Sequence, residues 1–174
     1  MSIKVTILGC GSSGGVPRVG GDWGACDPGN PKNRRRRCSL LIERFSAQNQ
    51  ATRVLIDTSP DMHAQLTDLG VRWLDGVVYT HEHADHTHGI DDLRALAING
   101  KRRVDTYMSD AMRDYMERKF SYCFKARANS DYPPILTNHQ IEADQPVTID
   151  GPGGTITLVP FEQLHGSISS LGFR

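Results

Sequence analysis

The chain has 174 residues and a mass of 19.3 kDa, which suits one domain that can bury a core of its own. Its 20 Lys and Arg residues balance 20 Asp and Glu residues, so the net charge gives no overall attraction to nucleic acid or to an anionic membrane. A hydrophobic content of 38% and a charged content of 23% are ordinary for a globular protein and argue against intrinsic disorder.

The sequence shows neither a targeting or membrane-spanning segment nor a cysteine pattern typical of disulfides. Nothing approaches the roughly 18 consecutive apolar residues of a membrane-spanning helix, and the N-terminus lacks the pattern of a signal peptide. The four cysteines do not form a CxxC motif, which favours reduced thiols over a disulfide framework. We therefore expect a cytoplasmic protein without a membrane partner.

Short strands and helices alternate along the chain. The first strand covers residues 3–8, where Ile3, Val5 and Ile7 alternate with other residues, and a long loop rich in Gly and Pro follows to residue 37. Further strands are predicted over 39–45, 53–57, 76–80 and 104–108. Helices are predicted over 59 or 61 to 69, 90–97 and 109–120. Short β-like runs follow over 135–137, 145–149, 155–159 and 167–173. This mixture predicts one layered α/β domain over residues 1–174.

A dense histidine cluster follows the strand predicted over 76–80. The sequence THEHADHTHG occupies residues 80–89 and holds four of the seven histidines. Imidazole and carboxylate groups are ligands that suit Zn²⁺, Mn²⁺ and Fe. His81 and His83 are two residues apart and project to the same side of an extended backbone, while Asp85 and His86 follow as the chain turns. The spacing predicts a metal site at the carboxyl end of a strand, where open α/β sheets build their sites.

The spacing HxHxDH after an apolar strand resembles the signature of the metallo-β-lactamase fold superfamily of hydrolases. The loop that begins with GCGSSGGVP at residues 9–17 and ends with RRCS at residues 36–39 resembles the phosphodiesterase branch, in particular the phosphoribosyl cyclic phosphate phosphodiesterases. The resemblance covers nearly the whole chain in element order. It implies a four-layer αββα sandwich with two mixed sheets face to face and helices outside.

The resemblance also implies roles for individual residues. His81, His83 and the later His165 would bind the first of two divalent metal ions, and Asp85 and His86 would belong to the second. Zn²⁺ suits this donor set best, and Mn²⁺ or Fe are compatible with it. Roles around the metals are implied for four more residues: Asp57 as a hydrogen-bonding support, His88 as a residue near the metals or the substrate, and Ser12 and Ser13 as contacts to a phosphate oxygen.

Two departures from the branch lead to further expectations. The binuclear site of the superfamily needs a bridging aspartate and another histidine after the position of His165, and neither precedes Arg174. We therefore expect residues 1–174 to be the N-terminal portion of a longer domain. The branch also carries a structural zinc on closely spaced cysteines, but Gly21 and Trp23 stand where cysteines are expected, so no structural zinc is predicted in this loop.

Two other motifs give weaker evidence of a binding site. The pattern GxGxxG at residues 9–14 follows a strand, but the Gly-Val-Pro that comes next does not open the helix that a dinucleotide site requires. The run of four arginines at residues 34–37 fits either a solvated loop face or a contribution to binding a phosphate-bearing substrate.

The sequence leads to a metal-dependent hydrolase as the main hypothesis. It is a phosphodiesterase that cleaves a small cyclic or nucleotide-like phosphodiester with a hydroxide held by two metals, with Asp85 as the catalytic residue that orients it. The alternatives are an RNA 3′-end nuclease, a thioester or lactone hydrolase of the same fold, or a non-catalytic metal-binding module. A nucleic-acid partner is not favoured, because no insertion looks like an arm that grips RNA. A homodimer remains open.

Overall fold

Six strands form one mixed sheet in the computed structural model, which describes residues 1–126, 128 and 131–174. The strands lie side by side in chain order: β1 (Ser2–Gly9), β2 (Ser39–Phe45), β3 (Ala51–Ile56), β4 (Gly76–Val78), β5 (Val104–Met108) and β6 (Leu136–Gln140). The pairs β1–β2 and β2–β3 are antiparallel, and the pairs from β3 to β6 are parallel. The parallel half therefore brings the carboxyl ends of four strands to one edge.

The helices cover one face of this sheet. They are α1 (Met62–Asp68), α2 (Ala84–Thr87), α3 (Leu93–Gly100), α4 (Asp110–Lys119) and α5 (Ser121–Phe124), with 3₁₀ turns at Pro31–Asn33 and Ile90–Asp92. Leu55 and Val77 of the sheet are fully buried in one core with Met62, Leu93 and Met116. Each such side chain contributes about 1.5–3 kcal/mol by leaving water.

Two hairpins lie on the opposite face. They pair β7 (Val147–Ile149) with β8 (Ile156–Leu158) and β9 (Pro160–His165) with β10 (Ile168–Phe173). Val54 and Val78 point to this side, because side chains alternate along a strand, and they join a second core with Ile149 and Leu171. The helices, the sheet and this second β layer confirm the α/β class and match three of the four layers expected for an αββα sandwich.

The prediction missed three elements. Strand β9 was not predicted because only Pro160 is buried and its last four residues are exposed, so it lacks the alternation that marks a half-buried strand. Helices α2 and α5 have four residues each, which is too short for a helical period to show in sequence. No helix among the described residues has the length and apolar character needed to cross a membrane.

The four consecutive arginines of the long loop do not act as one group. Arg36 forms an ion pair with Asp68, and the guanidinium of Arg37 lies 2.8 Å from Asp61, so both are held by α1 or the residue before it. Arg34 lies over the ring of Trp23. Two of the four side chains therefore fasten the loop to the helical layer.

Gly89 fixes the end of the histidine turn against the segment after β3. Its N–H donates to the carbonyl of Thr58 at 2.9 Å, and a Cβ built at this position would lie 2.0 Å from the carbonyl oxygen of Ser59. Gly89→Ala forces this backbone apart, and we expect a loss of about 1–3 kcal/mol or more in unfolding free energy, measured by urea denaturation. Gly29→Ala is the matched control, because its nearest neighbour is the flexible side chain of Asp27. Equal stability of the two variants would contradict the close contact.

Candidate metal centre

The candidate centre lies where β3 and β4 end at the same edge of the sheet. Asp57 is the first residue after β3, and Thr80 is two residues beyond β4. The parallel pairing continues past both strand ends, since the N–H of Asp57 donates to the carbonyl of Val78 at 2.9 Å. The chain then turns through His83 into α2, which presents Asp85 and His86 at this edge.

Asp57 is the buried acceptor that organises the turn. Its side chain is 3% exposed, and its carboxylate accepts hydrogen bonds from the Thr80 N–H at 2.8 Å, the Thr80 hydroxyl at 2.7 Å and His86 Nδ1 at 2.7 Å. Its φ of +62° is in the left-handed region, which few residues other than Gly, Asn and Asp adopt. The surrounding contacts hold this strained backbone, as is typical of functional positions.

Three histidine rings meet beside this aspartate. His81, His83 and His165 each offer a ring nitrogen, and the three nitrogens lie within 4.8 Å of one another. The ring centres of His81 and His83 are 4.7 Å apart, and that of His165 is 4.9 Å from His81 and 5.0 Å from His83. His165 is the last residue of β9, so the second β layer completes the cluster.

The hydrogen bond with Thr80 determines which ring nitrogen of His81 keeps an unprotonated lone pair. Its hydroxyl has one hydrogen, which it donates to Asp57, and so it accepts from His81 Nδ1 at 2.8 Å. The network therefore assigns the proton of His81 to Nδ1 and leaves the lone pair on Nε2, the atom that faces His83 at 3.2 Å. The same logic applies to His86, whose Nδ1 donates to Asp57 and whose Nε2 is 3.3 Å from an Asp85 carboxylate oxygen.

The surroundings shift the pKa values of His81 and His86 in opposite directions. Burial, followed by the neighbouring His86, lowers the pKa of His81 to about 4, so that its ring is neutral at pH 7. Burial also acts to lower the pKa of His86, but the hydrogen bond and charge of Asp57, with the charge of Asp85, outweigh it and raise the pKa. Metal binding requires a neutral imidazole, a condition that His81 meets without help.

The predicted site residues mostly gather around one cleft of about 640 Å³. Its lining includes both serines of the glycine-rich loop, all of the predicted metal ligands, Cys38 and residues of the β9–β10 hairpin: Ser12, Ser13, Cys38, His81, His83, Asp85, His86, Gln163, Leu164, His165 and Ser170. Asp57 lies behind the cleft and acts through Thr80 and His86. His88 is not part of the lining; it is exposed and its ring packs edge-on against Phe120.

Thr80 is the residue of this site that the sequence analysis missed. The sequence predicts Thr80 as the last residue of a strand, but β4 ends at Val78. A threonine directly before HxHxDH was the available signal, because a hydroxyl between a strand-end aspartate and the first histidine can link the two. The link depends on Asp57 turning into the left-handed region, and the sequence alone does not show that turn.

A variant of Thr80 tests this link. Thr80→Val keeps the shape but removes the hydroxyl that orients His81, and we expect metal affinity to fall by about 10–100-fold, as is usual when an outer partner of a ligand is lost. Thr80→Ser keeps the hydroxyl and is expected to bind like the parent, as measured by competition with a chromogenic zinc chelator. Equal affinity of the Val and Ser variants would show that the hydroxyl does not orient the ring.

The donor set fits a divalent metal ion. Three imidazole nitrogens within 4.8 Å of one another match the His₃ ligation found at catalytic zinc sites. At least one of the three is held in a fixed tautomer by a hydrogen-bonded hydroxyl and a carboxylate behind it, which is the usual support for a metal-binding histidine. Asp85 and His86 line the same cleft and add an oxygen and a nitrogen donor.

The sheet order, the strand-end aspartate and the histidine turn are those of the metallo-β-lactamase fold. A family described as the beta-lactamase superfamily domain matches residues 52–174, and the chain belongs to that superfamily, whose members are metal-dependent hydrolases. This confirms the superfamily that the histidine motif indicated. The fold of the superfamily implies divalent metal ions.

Several known proteins are similar to this chain. The chain is 30% identical to a solved diphosphatase of the PhnP family, with a TM-score of 0.80 over 99% of this chain and 62% of the other. It is 32% identical to an octanoyltransferase of Porphyromonas gingivalis over 99% of this chain and 33% of the relative. Zn²⁺-bound PqqB of Methylobacterium extorquens shares the fold, with 16% identity and a TM-score of 0.66 over 97% of this chain and 61% of the other. The chain thus spans one third of the curated relative and less than two thirds of these solved structures.

Proposed function

We propose that the chain carries the metal-binding part of a phosphodiesterase that acts on a small cyclic or nucleotide-like phosphodiester. The observation that carries the proposal is the cluster of His81, His83 and His165, braced by Asp57 and Thr80 and open to a cleft. The likeness to a PhnP-family diphosphatase supports phosphate esters as the substrate class. The site would take two divalent metal ions, with Zn²⁺ the best match to the donor set.

Each ligand has a proposed place. His81, His83 and His165 would hold the first metal, and Asp85 and His86 the second. Bound divalent metals supply Lewis acidity and lower the pKa of a coordinated water toward neutrality. The histidines contribute neutral nitrogen donors, and Asp57 and Thr80 keep those donors aimed into the cleft.

The remaining groups of the cleft bind and orient the reactants. Asp85 accepts a hydrogen bond from the attacking water and directs its oxygen toward phosphorus. A new P–O bond forms as the bond to the leaving oxygen breaks, and the proton that the water gives up ends on the leaving oxygen. Ser12 and Ser13 lie on the glycine-rich wall, where hydroxyl and backbone N–H groups can donate to a non-bridging phosphate oxygen. His88 does not line the cleft, so no proton transfer to the leaving group is assigned to it.

Other activities find less support in the cleft. A thioester or lactone hydrolase would use the same metals and is separated from a phosphodiesterase only by assay. An RNA 3′-end nuclease and a non-catalytic metal module have no specific observation in their favour. The transferase activity of the P. gingivalis relative is not proposed, because two thirds of that protein lies outside the matched part.

A substrate panel tests the proposal. The full-length natural protein is loaded with Zn²⁺, Mn²⁺ or Fe²⁺ and assayed on bis(p-nitrophenyl) phosphate, a ribose cyclic phosphate and an acyl thioester, while metal content is measured by mass spectrometry. We expect two metals per chain and hydrolysis of the phosphodiesters, with the cyclic phosphate preferred. Hydrolysis of the thioester alone would overturn the phosphodiesterase assignment, and a native protein that binds at most one metal would overturn the two-metal site. Light scattering of the same sample tests the open question of a homodimer.

A further inference from the structure

Two of the four cysteines lie near each other on neighbouring backbone segments, and one of them, Cys38, lines the cleft. Cys10 and Cys38 are both exposed and both free. They fall between two paired positions of the backbone, Gly9 with Ser39 and Gly11 with Arg37. A hydrogen bond of 2.8 Å from the Gly11 N–H to the carbonyl of Arg36 holds the same two segments together. The pairing thus brings together cysteines that are far apart in sequence.

This placement brings the two thiols near each other. The Gly9–Ser39 pair belongs to the antiparallel pairing of β1 with β2, and the Gly11–Arg37 bridge is parallel, so a backbone contact holds the two segments together on each side of the cysteines. Disulfides span Cα separations of about 4.4–6.8 Å, and the bridge forms if the two segments reach that separation. Burial, and then the charges of Asp57 and Asp85, raise the pKa of Cys38, and Cys10 lies close enough to add to that rise.

The other two cysteines serve as contrasts. Cys26 lies in the middle of the long loop and takes part in no pairing between strands, and Cys123 is fully buried in the helical core. Neither has a cysteine opposite it in the register of the sheet. Among the described residues, Cys10 and Cys38 are the cysteines that are both exposed and near a second cysteine.

We propose that Cys10 and Cys38 are a modification site at which a peroxide-type oxidant forms an intramolecular disulfide. One thiolate attacks a peroxide oxygen, which breaks the O–O bond and gives a sulfenic acid and water. The other thiolate attacks that sulfur, so that the S–S bond forms and a second water leaves. The two thiols lose two protons and two electrons, which reduce the peroxide to two waters.

The bond would change one wall of the cleft. Cys38 lines the cleft beside Ser12 and Ser13, which follow Cys10 directly in the chain. Oxidation therefore ties the start of the glycine-rich loop to the residue that precedes β2 and closes the chain between residues 10 and 38 into a ring. The proposal does not depend on the substrate of the enzyme or on the number of metals.

Intact-mass measurement and peptide mapping test the site. The full chain, freed of metal with a chelator, is treated with hydrogen peroxide and digested without reduction. We expect the mass to fall by that of two hydrogen atoms, a cross-linked peptide that joins Cys10 to Cys38, a higher Tm, and full reversal by a thiol reductant. Cys10→Ser and Cys38→Ser abolish the cross-link, whereas Cys26→Ser leaves it unchanged.

Several results would overturn the proposal. They are a cross-link that involves Cys26 or Cys123, a cross-link between two chains, or a mass that rises by added oxygen with no cross-link. The mapping is done on the parent chain, so it remains decisive even where a serine variant fails to fold.

Discussion

His81→Ala is expected to abolish both metal binding and hydrolysis. His81 is the most buried of the three clustered histidines, and its tautomer is fixed by Thr80. Loss of an outer partner costs about 10–100-fold in metal affinity, so loss of the ligand itself is expected to cost more than about 100-fold. Metal content after gel filtration and phosphodiesterase rate with saturating Zn²⁺ are the measurements.

The matched control is His63→Ala. His63 is exposed on α1 and is not among the cleft residues, so the control makes the same chemical change outside the site. We expect it to keep the parent's metal content and rate. If His81→Ala retained turnover while folded, the assignment of the metal centre would be wrong.

Asp57→Ala is expected to cost about 3 kcal/mol or more in unfolding free energy. The change leaves two donors on Thr80 and one on His86 without their acceptor, and each unsatisfied buried donor costs about 1–3 kcal/mol. It also places alanine at a φ of +62°, which adds about 1 kcal/mol of backbone strain. Urea denaturation of the metal-free protein measures the loss without any contribution from bound metal.

Asp144→Ala separates the two causes. Asp144 has the same φ of +62° but is exposed, so its replacement reports the strain without the lost buried hydrogen bonds. We expect a loss near 1 kcal/mol for this control. A similar loss in both variants would mean that the hydrogen bonds of Asp57 do not stabilise the turn.

The sequence predicted the part of the site that is local. His81, His83, Asp85 and His86 follow one strand within a few residues, and metal-ligand spacing shows directly in such a segment. The strands β1 to β5 are predicted with small errors at their ends, because apolar residues alternate in their sequences or form short runs flanked by turns. These features depend on near neighbours, which is why a single sequence reveals them.

The non-local part needed the structure. The position of His165 came from a family resemblance, and its strand, β9, was not predicted because its outer residues are exposed. The ion pairs of Arg36 and Arg37 depend on Asp68 and Asp61, which lie far away in sequence and are brought near the arginines by the fold. The closeness of Cys10 to Cys38 likewise depends on contacts between backbone segments that a long loop separates in sequence.

The β9–β10 hairpin links the candidate centre to both β layers of the fold. It reaches the central sheet through a hydrogen bond of 3.0 Å from the Leu171 N–H to the carbonyl of Thr80, and it delivers His165 to histidines on the other layer. An ion held by residues from both layers would act as a cross-link that exists only in the folded state. A ligand that binds only the folded state raises the free energy of unfolding by mass action. The increase is about 2.7 kcal/mol when the free ligand concentration is a hundred times its Kd. The thermal stability of this protein should therefore rise with free metal concentration, and the hairpin should be the first element to detach when the metal is withdrawn.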